Sequence, residues 1–440
     1  MRSWSWLLLS LMFSCVGTRT GNPGSLDGPE GADVARSNLA HASAPQLSVA
    51  DVNSFGADNR TFALDLYKRL AQNSGNLFFS PYNISTALAM TYAGADGNTA
   101  SEMETALHFS LGQPKLHQAF NATAYALAAR EMQLAENAMS GDGLKLSTDN
   151  QVWSRKGAHF LDSYLDLLAQ NYAAGLFLLD FGDPEQARAV INGWVARQTH
   201  ERVPKVLPEQ ALGPNTPLVL TSVIYFQGSW LWPFETSLTD AADFHSIAGD
   251  TQVQMMHASS SMDYAALEGF RMVKLPYLSK AVSLLAVLPP EGALQQAAEH
   301  LDARLFDALV ANLSPNQVHL SLPKWQFTAG IKLREPLLGL GMHAAFDRSE
   351  ADFSKMTGSR GLFIQEIYHQ GFVAVDENGT EAAAATAVVF GDAGVSFPVD
   401  PPVELKFDRP FMFAIYDDPT GQILFMGQVA QPSESSSPIP

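Results

Sequence analysis

The chain has 440 residues, 46% hydrophobic and 16% charged, so it can bury a large core and is not disordered by composition. Its 27 Lys+Arg against 45 Asp+Glu give a formal net charge of -18. That balance argues against nucleic acid, anionic membrane surfaces and polyanions as partners, because a phosphate footprint needs clustered cations. An acidic chain of this kind is expected to be soluble and monomeric.

The first element is MRSWSWLLLSLMFSC, residues 1–15. Its apolar run, Leu7 to Phe13, is too short to span a bilayer and reads as a signal peptide. Cys15 is the only cysteine, so no disulfide forms within the chain. Its place after a short apolar run resembles the lipidated cysteine of bacterial lipoproteins; the alternative is an incidental cysteine in a cleaved signal. Either way the chain reads as exported, to the cell envelope or beyond. Residues 16–50, rich in Gly, Pro, Ser, Asn and Ala, read as a disordered tether, and 433–440 as a disordered tail. Residues 51–432 carry no second linker and read as one domain.

Helix patterns come first in that domain. In SPYNISTALAMTYAG, Ser80 suits an N-cap, Pro81 the first helical position and Gly94 the stop. Thr99 to Glu102 has the spacing of a capping box opening the next helix. FLDSYLDLLAQNY, 160–172, is amphipathic, and Asp183-Pro184 opens a helix with Ala187, Val190, Ile191, Trp194 and Val195 on one face. Strand patterns dominate the second half: LTSVIYFQGSW, SLLAVLPP, and VHLSLP with Val318, Leu320 and Leu322 alternating with His319 and Ser321. PFMFAIYDDPTGQILFMGQV reads as a hairpin around Asp417 to Gly421. Helices early and antiparallel strands late give the α+β class.

Catalytic patterns are missing. There is no G-x-S-x-G, H-E-x-x-H, P-loop or C-x-x-C. Gly339-Leu340-Gly341-Met342-His343-Ala344 has dinucleotide-motif spacing but follows no strand and reads as a helix end. Eleven scattered His and one Cys make no metal set, so neither metal nor cofactor is expected. Five N-x-[ST] sequons, at Asn59, Asn83, Asn121, Asn312 and Asn378, read as chance matches.

GTEAAAATAVVF, 379–390, fits neither a surface helix nor an ordinary strand. Thr380, Ala382, Ala384, Thr386 and Val388 would share one face of a strand, and Glu381, Ala383, Ala385, Ala387 and Val389 the other. No proline interrupts 379–397, as a central strand requires. Taken with NLFFSPYNISTALAM, LTSVIYFQGSWLWPF, VQMM, MVKLPY, LSLPKWQF, LGLGMHAAFDRSEADFSKMTG, IYHQGFVAVDENGTEAAAATAVVF and FDRPFMFAIYDDPTGQILFMGQV, in that order over 51–432, the sequence resembles the serpin family of serine protease inhibitors.

The resemblance implies three β-sheets, about eight or nine helices and an exposed reactive-centre loop near the C-terminus. It implies no catalytic activity of the chain's own. Inhibitory members are suicide substrates: a protease cleaves the loop, and the loop inserts as a strand in the largest sheet while still acylating the protease. Glu377, Gly379, Thr380, Glu381, Ala382, Ala383, Ala384, Ala385 and Thr386 match the inhibitory hinge, in which small side chains enter a packed sheet. A serpin-fold protein that is merely cleaved, or that binds or chaperones, is the alternative. Counting from the hinge places the scissile bond at Ala393-Gly394, whereas counting back from Phe407 places it near Val399, so the loop is long on its leaving side. Thirteen inserted residues carry the protease roughly 40 Å. Ala393 suits elastase-like or subtilisin-like proteases, and cysteine proteases are a further target class. Trp230 matches the point where insertion begins, and Ser80 and His369 the region over which the sheet opens. There Ser222 stands where the family usually has Asn, and Asn83 where it often has Ser, an exchange that either is compensated between hydrogen-bonding partners or alters the energetics of sheet opening. Segment 99–118 holds a single Lys115, so no heparin-type cofactor is expected.

Overall fold

The computed structural model describes residues 28–72, 75–137, 144–199, 201–292, 294–381, 401–432 and 435–437. The N-terminal half is mostly helical: β1 (Asp33–Ala35), α1 (Val49–Leu70), β2 (Leu77–Phe79), α2 (Pro81–Tyr92), α3 (Gly97–Ala106), α4 (Gln113–Asn137), β3 (Lys145–Arg155), α5 (Asp162–Tyr172), β4 (Leu176–Leu179), α6 (Pro184–Gln198) and β5 (Leu218–Ser229). Strands then dominate. They run β6 (Asp240–Ser246), β7 (Gly249–Leu267), β8 (Phe270–Pro276) and β9 (Val282–Leu288), followed by α7 (Leu294–His300) and α8 (Ala303–Ala311). After these come β10 (Ser314–Pro323), β11 (Trp325–Lys332), α9 (Arg334–Gly339), α10 (Ser354–Thr357), β12 (Glu366–Asp376) and β13 (Gly379–Thr380). The chain ends with β14 (Val403–Lys406), β15 (Phe411–Asp417), β16 (Gln422–Val429) and β17 (Ser435–Ser437).

The helix ends follow their local chemistry. Ser48, Ser80 and Asp183 cap α1, α2 and α6 by accepting from the amides of Asp51, Asn83 and Gln186. The capping box expected at Thr99 does not form, because α3 begins at Gly97. Thr99 and Glu102 are drawn to other segments: the Asp352 amide donates to Thr99 Oγ1 at 2.9 Å, and the His343 and Ala344 amides to Glu102 Oε2 at 2.8 and 2.6 Å. Gly339 closes α9, Gly341 takes a φ of +97°, and Met342 is buried, so the dinucleotide-like spacing is a helix end.

Two sheets pack around a large apolar core. One is eight-stranded, ordered β1-β4-β3-β5-β13-β12-β11-β17, with β5 and β12 also paired directly. The other is nine-stranded, ordered β14-β10-β7-β8-β9-β15-β16-β2, with β6 on β7. The third sheet implied by the resemblance is the β14-β10-β7-β6 end of this path, made continuous with the rest because β7 pairs with β6 along its first part and with β8 along its last. Ten α-helices lie among the described residues; α7, α9 and α10 are short. On its far face the eight-stranded sheet carries α6 over a second apolar cluster, in which Trp153 meets Trp194 edge-to-face at 5.5 Å. Trp153→Ala is expected to cost about 3–5 kcal/mol and lower the thermal midpoint accordingly; an unchanged melt would mean that α6 is not held by this cluster.

Residues 28–48, expected in the tether, instead lie along the domain. β1 pairs with β4, Ala32 and Val34 pack on the α6-side cluster, and Leu47 packs on the main core. A few apolar residues suffice, because β4 would otherwise present an unpaired sheet edge.

Candidate functional site: the loop hinge and the β5–β12 seam

β12 and β13 form a tight hairpin whose turn is Glu377-Asn378. Gly379 and Thr380 are already paired on both sides, with Ser229 and Gly228 of β5 and with Asp376 and Val375 of β12. Gly379 is required there: an added Cβ would sit 2.1 Å from the Gly228 carbonyl oxygen. Thr380 is buried, and its Oγ1 lies 2.7 Å from Tyr277 Oη. The Tyr277 ring stacks on Trp230 at 4.7 Å. Trp230 holds the turn from outside, its amide donating to Asn378 O at 2.9 Å and its Nε1 to Asp376 O at 3.0 Å.

Glu377 is 5% exposed and fully engaged. Lys324 Nζ lies 2.8 Å from Oε2, and Thr239 Oγ1 donates to Oε1 at 2.8 Å. Burial opposes its ionisation, but the bonds from Lys324, its own amide and Thr239 outweigh it and hold the carboxyl below its usual range. Glu381 points to the opposite face from Thr380 and pairs with Arg202 at 2.6 Å, while Arg202 also lies over the Phe372 ring. Burial raises the Glu381 carboxyl despite Arg202. Its φ of +47° is a left-handed conformation that a non-glycine residue holds only under strain, while its amide still donates to Ala374 O of β12 at 2.8 Å. Ala382, Ala383, Ala384, Ala385, Thr386, Ala393, Gly394 and Cys15 lie outside the described residues.

Below the hinge β5 and β12 pair directly, Ile224 with Gly371 and Ser222 with His369. Their offset equals the one set by Gly379 and Thr380. A strand entering between them therefore needs only lateral separation, without any slip of one flank along the other. At the middle of the seam Ser80 donates its amide to His369 Nε2 at 3.0 Å and its Oγ to Leu424 O at 2.6 Å. Because Nε2 accepts, the ring proton sits on Nδ1 and donates to Ser222 Oγ at 3.1 Å. Asn83 Nδ2 donates to Ser222 Oγ and Val223 O, both at 3.0 Å, and Asn83 Oδ1 accepts from Asn150 at 2.7 Å. Asn83 thus carries the amide that spans the seam region, and Ser222 supplies the hydroxyl, so the exchange is compensated within one buried network.

Complete burial pushes His369 down to about 3. A histidine neutral in the fold binds its proton mainly in the unfolded chain. Stability is therefore full above about pH 6.5 and falls as pH drops toward the folded value. His369→Gln should flatten that decline in thermal scans between pH 7 and pH 4; an unaltered slope would show that His369 does not titrate on unfolding.

Sequence reasoning found Trp230, Ser80, Asn83, Ser222 and His369 but missed Tyr277, Lys324, Thr239, Arg202 and Asn150. These reach the site from loops and strands far away in sequence. Lys115 lies 2.9 Å from Asp51. Asn59, Asn83 and Asn121 are buried and hydrogen-bonded, so none of the three carries a glycan in the folded chain. Among the described residues no cluster is placed to hold a metal ion, and no helix is long and apolar enough to cross a membrane.

Residues 57–432 match the family model described as serpin (serine protease inhibitor). The chain belongs to the serpin family. An uncharacterized serpin-like protein of Thermococcus kodakarensis is 36% identical over 85% of either chain. The leukocyte elastase inhibitor of Xenopus laevis is 34% identical over 84% of this serpin and 97% of its own length. Among solved structures, the thermophilic serpin tengpin in its native state superposes with a TM-score of 0.78 at 27% identity, covering 91% of this chain and 99% of that one.

Proposed function

We propose that this serpin inhibits serine endopeptidases, with cysteine endopeptidases as a further class, by trapping them as a suicide substrate. The observation that carries the reading is the hinge: Gly379 and Thr380 already sit between β5 and β12, in register with the seam below them. Continuing that register brings Thr386 between Ser222 and His369, Ala384 between Ile224 and Gly371, and Val388 between Leu220 and Ile367, all facing the core. Glu381 and the odd-numbered residues after it face α6 and the segment that follows it. Small side chains are needed at 384 because Phe78 crowds Gly371 from the core side. The direct His369–Ser222 bond must break, and the Thr386 hydroxyl is the group placed to replace it.

Cleavage at Ala393-Gly394 leaves the inserted length unaffected by the long leaving side. Ala393 and the relatives named leukocyte elastase inhibitor favour an elastase-like or subtilisin-like target. The apolar run Leu7 to Phe13 supports export, either released or held to a membrane by a lipid on Cys15, and the acidic charge balance supports a monomer. Mass spectrometry of a membrane fraction tests the lipid.

Incubation with elastase and with subtilisin, followed by denaturing gels, tests the inhibition. A stable adduct of serpin plus protease mass is expected. Cleaved serpin alone, with every protease tried, would leave the reading as a cleavable serpin-fold protein without trapping.

A further inference from the structure

Residues 28–48 meet α4 and α5 along a second seam, separate from the one between β5 and β12. His117, Asn121 and Tyr125 recur at four-residue spacing on α4 and form one side of it. Asn121 Nδ2 donates to the carbonyls of Ala42 and Gln170 at 3.2 and 3.4 Å, and the Ala42 amide donates to Gln170 O at 2.9 Å. One α4 amide therefore ties the N-terminal segment and α5 together. His117 is 1% exposed and places Nδ1 2.7 Å from Tyr172 Oη of α5. His41 of the N-terminal segment stacks on Tyr125, ring centroids 5.0 Å apart and 13° from parallel. The Nε2 atoms of both rings are buried without a hydrogen-bond partner.

Neither ring is joined to a carboxylate among the described residues. The ionisable groups facing them are Tyr125 of α4 and Tyr172 of α5, with Tyr164 of α5 and Tyr82 of α2 behind Tyr172. The acid at this edge, Asp166 of α5, is taken by Ser37 Oγ at 2.5 Å, and Lys115 of α4, two residues before His117, is taken by Asp51 of α1. The seam is built for two neutral imidazoles. His41 has only Asn121 and the Asn171 backbone to receive an imidazolium, against its burial, and nothing is placed to receive one on His117.

We propose that this seam is an acid-released latch: protonation of His41 and His117 drives α4, α5 and the N-terminal segment apart, and the segment lifts from β4 before the domain unfolds. Burial pushes His117 down to about 4; it also lowers His41, against opposing hydrogen bonds with Asn121 and the Asn171 backbone. Both rings are neutral in the closed seam. The seam is therefore fully stable above about pH 6.5 and weakens as pH falls from there toward the folded values.

Amide hydrogen exchange on the full chain tests this, at about pH 7.5 and about pH 5, corrected for the intrinsic pH dependence of exchange. Wild-type amides of 33–42 should lose about tenfold protection at the lower pH while those of β5 and β12 keep theirs. In His41→Gln/His117→Gln the loss should shrink to less than about twofold. If the double variant melts early at neutral pH, His41→Gln alone is compared, and it should reduce the loss at least about threefold. An equal loss with and without the histidines would overturn the proposal. So would no loss in the wild type, or a loss shared by β5 and β12.

Discussion

Thr380→Arg is expected to convert the serpin from inhibitor to substrate. Thr380 is 1% exposed, bonded to Tyr277 and paired on both sides, so it is the first residue of the strand that must grow. An arginine there would bury a cation facing the core beside Tyr277, without a carboxylate, at a cost of several kcal/mol. The hinge would instead be held out of the sheet. Insertion would lag deacylation, and since about 1.4 kcal/mol in a barrier is tenfold in rate, the adduct fraction should fall by about tenfold or more while cleavage continues. Adduct and cleaved product on one denaturing gel give the partition directly. Undiminished trapping would mean that Thr380 does not face the core during insertion.

The second large effect concerns the Asn83–Ser222 exchange. Asn83→Ser should cost about 2–4 kcal/mol, because it removes the amide's hydrogen bonds with Asn150, Ser222 and Val223 O and opens a small void. Ser222→Asn alone should cost about 1–3 kcal/mol by overfilling a fully buried position beside His369. The double variant moves the amide from α2 to β5 and should recover at least about 1 kcal/mol of the summed loss. Thermal midpoints at one fixed scan rate measure the cycle. Simple additivity would show that the two side chains do not form one unit.

Much of this was legible in the sequence because it is local. Caps at Ser80 and Asp183, the Val318-Leu320-Leu322 alternation and the Asp417–Gly421 turn depend only on neighbouring residues. The alternation of Thr380 and Glu381 across two faces is likewise a property of any strand. What escaped was long-range. Thr99 and Glu102 have the spacing of a cap but bond to residues 344 and 352 on a distant segment. Tyr277, Lys324 and Arg202 reach the hinge from strands and loops whose register no local pattern encodes. Residues 28–48 look like a tether by composition, yet an exposed β4 edge and the α4–α5 groove supply the partners that their few apolar side chains and two hydrogen-bonding residues need.

On cleavage the loop is expected to enter between β5 and β12 in the register already set by Gly379 and Thr380. A crystal structure of the serpin after cleavage in its loop tests it most directly. The expected result is an added strand that places Thr386 between Ser222 and His369, with Glu381 on the Arg202 face. A cleaved molecule in which Ser222 and His369 still pair directly would contradict it.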